Sequence, residues 1–386
     1  MKTEKSISIS DYLKVIVDEN VSLIKKDFIN EADLENYQRM VKEKLAKDLG
    51  IEEFLSRSPR QIVEKVYRKD LINGCVLERV DYHFDWNFYI PCHVWRPAEV
   101  KGELPAVILF TDGGKCNYDI NMMMSQWASR GMLVLQPDYP LTEEMRDPYI
   151  GAETAGYNAG LPLIGLGTLE LIRGIDYLSA RPDVDAKRIT LVGLSRAALE
   201  TVFAAALDER VQAVAIQDIS SYQAWAQNME VQAVANLLNT PRHSAPGILK
   251  YADLPQVCAI IAPRNLAIFG YAGNPAYPQA GYEAIVKVCR QSYSLLGVED
   301  SFNTNGDTYP YLNTVNWLIE RVTKDTIPPV STCQVTIRSE RGYDQSEFYQ
   351  VKGIDVEPAL AQSNELIHSP WSYLKYRAAL AASKLP

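Results

Sequence analysis

The sequence predicts an α/β fold, a mostly parallel, doubly wound sheet covered by helices, on three observations. Unbroken apolar runs such as Pro105-Ala-Val-Ile-Leu-Phe110 and Met132-Leu-Val-Leu135 suit strands buried on both faces. Stretches with helical spacing of apolar residues alternate with those runs, which implies right-handed crossovers within one sheet. Glycine and proline stand at 21 each in 386 residues, the ordinary abundance of a globular chain and not of a fibrous or low-complexity one.

Residues 1 to about 70 read as helical. Leu13, Val15, Ile16, Val21, Leu23 and Ile24 recur near helical spacing with charges between them, and a second helix from Ala32 to Leu49 stops at Gly50. Ser58-Pro59 opens a third, with Pro59 suited to its first turn. Residues 1–74 are therefore expected to form a helical extension, a cap or a dimerisation element, with a homodimer through these helices as one expectation. From Val76 the period changes to two, and Leu77–Phe84 and Tyr89–Trp95 read as paired antiparallel strands. The chain then alternates. Strand 105–110 is followed by helix Met122–Arg130, strand 132–135 and a helix from about Leu166 to Ala180. Strand 188–192 and helix Ala197–Leu207 come next, then strands Val211–Ile216 and Asn265–Gly270 on either side of an irregular stretch (222–255). Helices from about Ala280 to Leu296 and from Tyr311 to Val322 close a core spanning 75–325. A C-terminal extension, 326–386, carries one expected strand (Cys333–Ser339) and one expected helix.

Composition excludes several functions. Hydrophobic residues make up 47% and charged residues 23%, with a net charge of −9, whereas nucleic acid and anionic lipid both require basic patches. No stretch approaches the ~18 consecutive apolar residues of a membrane span, and the N-terminus shows no secretory h-region. Cysteines 75, 92, 116, 258, 289 and 333 are scattered, without C-x-x-C pairs or histidines at metal-ligand spacing. They read as reduced thiols of a cytoplasmic protein that binds no metal and needs no cofactor, with a small molecule as its partner.

The strongest chemical signal is Ile189-Thr-Leu-Val-Gly-Leu-Ser-Arg-Ala-Ala-Leu-Glu200. A hydrophobic strand runs through Gly193-Leu-Ser195-Arg-Ala197 directly into a helix. A turn that sharp needs small residues on both sides of its centre, here Gly193 and Ala197, and it would aim Ser195 Oγ out of the sheet. The N–H of Arg196, at a helix N-terminus, would then face a developing oxyanion. The plainer reading is a tight strand-to-helix turn with an idle serine.

Several segments carry a family resemblance. They are Ile175–Ile189, Gly193-Leu-Ser195, Ala206-Leu-Asp-Glu-Arg-Val211, Pro246–Pro255 and Ile261-Ala-Pro-Arg-Asn-Leu266. Together they resemble the acetyl xylan esterase-like branch of the α/β-hydrolases, and the Ser195-Arg196 pair is similar to glucuronoyl esterases, where such an arginine helps hold the oxyanion. The resemblance covers about residues 75–325. It implies the α/β-hydrolase fold, with Ser195 at the nucleophile elbow.

The same resemblance exposes three departures. The serine needs a base, and the base needs an orienting carboxylate, in the chain order serine, acid, histidine. Where the acid is expected, after strand 265–270, the chain has Gly273-Asn274-Pro275. Where the histidine is expected lies Asn303-Thr-Asn-Gly-Asp307-Thr-Tyr309, with Asp307 the nearest counterpart. The first oxyanion loop, usually His-Gly, reads Asp112-Gly113-Gly114. The chain has four histidines. His83 and His93 fall in the early hairpin, where strand histidines are usually structural, His368 lies in the tail, and His243 is a candidate displaced base. Asp218, at the end of a sheet strand, either orients a base or caps the following segment. Asp307 beside Ser195 would need its pKa raised by burial or by Asp112, with Arg196 and Lys115 offsetting the charge. Cys116 has nothing basic adjacent to make it a nucleophile.

Two functions stay open. One is an ester, thioester or lactone hydrolase, or an acyltransferase, working through Ser195 with an unusual base. The other is a redeployed cyclase, lyase or isomerase of specialised metabolism, in which Ser195, Asn274, Asp307 and Asp112 act as acid-base and hydrogen-bonding groups. A non-catalytic pseudo-hydrolase is a third reading.

Overall fold

The structure, a computed structural model, describes residues 8–56, 64–72, 74–85, 88–100, 102–112, 115, 118–140, 142, 145, 152–238, 241–269, 274–304, 317 and 320–322. Among them nine strands make one sheet: β1 (Glu64–Ile72), β2 (Cys75–Asp85), β3 (Phe88–Pro97), β4 (Leu104–Thr111), β5 (Leu133–Pro137), β6 (Val184–Leu194), β7 (Val211–Gln217), β8 (Asn265–Phe269) and β9 (Phe302–Asn303). Their order is β1-β2-β3-β5-β4-β6-β7-β8-β9. The first three strands are antiparallel to their neighbours, and every pair from β5–β4 to β8–β9 is parallel. This is the α/β-hydrolase fold, as expected. Strands β4 and β5 are buried along their whole length, which is why they read as continuous apolar runs.

The helices are α1 (Ile9–Leu23), α2 (Glu31–Asp48), α3 (Glu52–Leu55), α4 (Tyr118–Ala128), α5 (Ala152–Asn158), α6 (Leu163–Ala180), α7 (Ala198–Leu207), α8 (Tyr222–Gln227), α9 (Gln232–Leu238), α10 (Leu254–Ala259) and α11 (Gln279–Leu295). Helix α2 is seated on the core. Leu34, Val41 and Leu45 are fully buried, each contributing about 1.5–3 kcal/mol. Tyr37 donates to the carbonyl of Tyr251 at 2.8 Å, and Gln38 to that of Ala262 at 2.9 Å. The helix stops at Gly50, whose φ is 69° and whose Cα lies so close to the carbonyl of Gly160 that a Cβ would sit 1.8 Å from its oxygen. Helix α6, with 15 of its 18 residues buried, lies against β6 and α7.

Two local expectations are corrected. The segment read as a third helix ends in a strand: β1 pairs antiparallel with β2 from Glu64↔Tyr82 to Ile72↔Cys75. Its charges, read as a helix surface, are what an exposed sheet edge carries to discourage further pairing. The stretch read as irregular contains α8, α9 and the start of α10, each too short to display a period. The expected helix 311–322 is described only at 317 and 320–322, where it is helical, and the tail 326–386 lies outside the described residues. Cys75, Cys92, Cys258 and Cys289 are free and buried, while Cys116 and Cys333 lie outside the described residues. Among the described residues, no helix is long and apolar enough to cross a membrane.

Candidate active site

The site lies where the parallel strands end. Thr111 of β4 is level with Leu194 of β6, Gly193 of β6 with Ile216 of β7, and Gln217 of β7 with Phe269 of β8. The next residues along these strands, Asp112, Ser195 and Asp218, therefore leave the sheet at one rim, where ligands meet sheets of this type. Ser195 has φ 57° and Asp218 φ 58°, the only non-glycine residues with positive φ among those described. Leu194 is still extended, and Ser195–Ala197 form one 3-10 turn before α7. Positive φ is strained for an L-residue, and a serine held there marks the elbow. Gly193 is required: a Cβ would meet Thr201 Oγ1 at 2.3 Å and Thr201 Cβ at 2.6 Å. Thr201 cannot retreat, because its hydroxyl donates to the carbonyl of Ala197 at 2.7 Å.

Ser195 lies near two groups, the carboxylate of Asp112 and the phenol of Tyr277, and lowers the pKa of both. Burial raises the pKa of Asp112, opposed first by the Arg196 guanidinium, whose Nε lies 3.6 Å from the carboxylate, and more weakly by Ser195. Burial likewise pushes the phenol of Tyr277 up to about 12, with Ser195 opposing. Asp218 is pushed up to about 6 by burial, opposed by a hydrogen bond from Asn274. The Oδ1 of Asn274 accepts from the backbone N–H of Ala276 at 3.1 Å, which leaves its NH₂ to meet Asp218.

His243 is buried beside this group, 2% exposed, and its Nδ1 has no hydrogen-bond partner among the described residues. Burial, then the nearby charges of Arg196 and Arg242, hold its pKa down to about 3. Arg242 is itself fixed by Glu153, with contacts of 2.5 and 2.9 Å. Beneath the site, Tyr139 donates to Glu200 Oε1 at 2.8 Å, and burial raises Glu200 to about 8. Lys115 pairs with Asp138, both fully buried.

The structure thus brings together Ser195, Arg196 and Asp112, sets Asp218 on Asn274, and puts His243 beside the arginines. Gly113, Gly114 and Asp307 lie outside the described residues, as does His368. Sequence reasoning missed Tyr277, Arg242 and Glu153. Tyr277 had one local signal, the Asn274-Pro275 pair, which favours a turn that redirects the residues after it. Among the described residues no cluster of three His, Cys, Asp or Glu side chains is arranged to hold a metal ion.

No known family model matches the chain. Among curated proteins it is similar to "Putative hydrolase YtaP" of Bacillus subtilis, 25% identical over 148 residues. That match takes in 37% of this chain and 46% of the relative, so the chain spans about half of that protein's length. Among solved structures it resembles a "putative acetyl xylan esterase" of Bacteroides fragilis, with TM-score 0.65 and 14% identity, covering 80% of this chain and 85% of the other. It also resembles a CE15 glucuronoyl esterase of Teredinibacter turnerae, with TM-score 0.54 and 16% identity, covering 76% and 85% of the two chains. These likenesses establish the fold.

Proposed function

We propose that this chain is an esterase that cleaves a carboxylic ester of a small molecule through Ser195, with Asp112 taking the serine proton. One observation carries the reading: a serine at φ 57° on a strand-to-helix turn, with the half-buried carboxylate of Asp112 beside it. A strained conformation at a strand end is retained where function requires it. The fold shared with esterases and the hydrolase named among its relatives support the same chemistry.

In this reading the triad is degenerate, with Asn274 at the acid position and Asp307 at the histidine position. A general base must reach its proton and hold a pKa above that of a surface carboxylate. Asp112 meets both conditions, since it faces the hydroxyl and burial makes it more basic. His243 meets the second condition poorly: burial, and then two guanidiniums, oppose the imidazolium that a base would have to become. The N–H of Arg196, in the turn that leads into α7, faces the carbonyl oxygen of the tetrahedral intermediate, and the guanidinium opposes the rise in the Asp112 pKa. No step calls for a cofactor. The free, buried thiols at Cys75, Cys92, Cys258 and Cys289 fit a cytoplasmic enzyme.

The test is turnover of p-nitrophenyl acetate. Ser195→Ala should lose about a thousandfold or more, and Asp112→Asn about a hundredfold or more. A Ser195→Ala enzyme that keeps the wild-type rate would reject the proposal.

A further inference from the structure

We propose that Asp138 and Tyr139, the two residues that follow β5, are positioning residues that set Asp112 against Ser195. One clamps the chain that carries Asp112, and the other clamps the helix that follows Ser195. The inference rests on the Ser195 and Asp112 reading above and adds the residues that hold that pair in place.

The sheet order puts β4 between β5 and β6. Ile108 of β4 is level with Leu135 of β5, so the two strands end side by side. Asp138 is fixed by its own backbone, whose N–H donates to the carbonyl of Pro91 in β3 at 2.9 Å. Its carboxylate pairs with the ammonium of Lys115, in the connection that Asp112 opens. Tyr139 reaches past β4, its ring against that of Phe110 at a centroid distance of 5.2 Å. Its phenol donates to Glu200 Oε1 at 2.8 Å, and Glu200 lies in the first turn of α7, the helix entered from Ser195. Two adjacent residues of one strand end thus hold both arms of the site. Nearer the surface the same arms meet again, where Arg196 Nε lies 3.6 Å from Asp112.

These contacts are rigid. Lys115, Asp138, Tyr139 and Glu200 are at most 2% exposed. Glu200 has no room towards α6, since a Cβ at Gly167 would sit 3.0 Å from its Cγ and 3.6 Å from Phe110 Cε1. A buried ion pair adds little stability over apolar side chains of similar volume, so stability alone does not account for Lys115 and Asp138. What they fix is geometry. A base has to lie within hydrogen-bond reach of the proton it takes, and a displacement of about 1 Å can cost a hundredfold in rate.

Two variants test the brace. Tyr139→Phe keeps the ring on Phe110 and removes only the hydroxyl. Lys115→Met combined with Asp138→Leu replaces the ion pair by apolar side chains, an exchange compatible with folding. Far-UV circular dichroism and urea unfolding establish that each variant is folded; if the ion-pair exchange is not, Tyr139→Phe decides by the same criteria. On p-nitrophenyl acetate, kcat should fall about tenfold or more in each, with KM within roughly threefold of wild type. The loss should also depend on the base. In an Asp112→Asn background either change should cost less than about threefold further, because the group being positioned is gone. A merely structural role would lower the urea midpoint and leave kcat per folded molecule unchanged. Wild-type kcat in the variants, or the same loss with and without Asp112, would overturn the brace while leaving Ser195 in place. A Ser195→Ala enzyme as active as wild type would overturn the Ser195 reading itself.

Discussion

The side-chain oxygen of Asn274 accepts the N–H of Ala276 at 3.1 Å, and the same side chain lies close enough to Asp218 to hold its pKa down against burial. One side chain thereby links the rim of β7 to the turn that follows its neighbour β8. This link predicts that Asn274→Ala raises the Asp218 pKa further, so the variant should lose more stability at pH 7 than at pH 4 in urea unfolding; an equal loss at both would contradict the link.

Asp218 predicts a pH dependence of stability. Its folded pKa, about 6, lies above the ordinary 3.8, so the folded state binds the proton more tightly than the unfolded chain. The ionisation penalty is therefore absent below pH ~4 and fully present above pH ~6. Asp218→Asn, which keeps an acceptor for Asn274 and tolerates positive φ, should be about 2 kcal/mol more stable than wild type at pH 7. It should show no gain at pH 4, as read by urea unfolding.

His243 predicts the opposite slope. With a folded pKa near 3 against 6.5 in the unfolded chain, it binds its proton only on unfolding. Stability should fall as pH drops from 6.5 towards 3, by ~2–4 kcal/mol from this group. His243→Leu should flatten that limb and keep ester turnover within about tenfold, since removal of a group that is not the base leaves the proton transfers intact. A thousandfold loss of turnover would return the base role to His243.

The elbow was legible because its requirements are local. Gly193 must lack a Cβ to pass Thr201, Ala197 must be small, and Ser195 sits between them. Asp112 and Asp218 were legible as residues that follow buried strands, and register alone brings those ends together. Tyr277 and the Arg242–Glu153 pair were not legible in the same way. Their partners lie 82 residues and more along the chain, brought near by strand order and not by any sequence period. The β1 strand escaped for a different reason, since a charged edge strand and a charged helix surface share a composition.

Gly193→Ala gives a prediction on the fold of the elbow itself. The added Cβ has 2.3 Å to Thr201 Oγ1, so overpacking should cost about 1–3 kcal/mol, read as a lower urea midpoint. Pairing it with Thr201→Ala, which vacates that space, should recover part of the loss.

Asp112→Asn tests the base through pH. In wild type, p-nitrophenyl turnover should rise with pH through the raised pKa of Asp112, because the carboxylate must be ionised to accept the serine proton. That limb should vanish in the asparagine variant along with most of the rate. A variant that keeps the wild-type limb would place the base elsewhere.

The most direct measurement is the intact mass of the protein after treatment with a fluorophosphonate, followed by peptide mapping. One adduct on Ser195 is expected, formed at a much reduced rate in Asp112→Asn and absent in Ser195→Ala. Wild-type protein that stays unmodified, or an adduct mapped to another residue, would contradict the claim that this strained serine is the nucleophile.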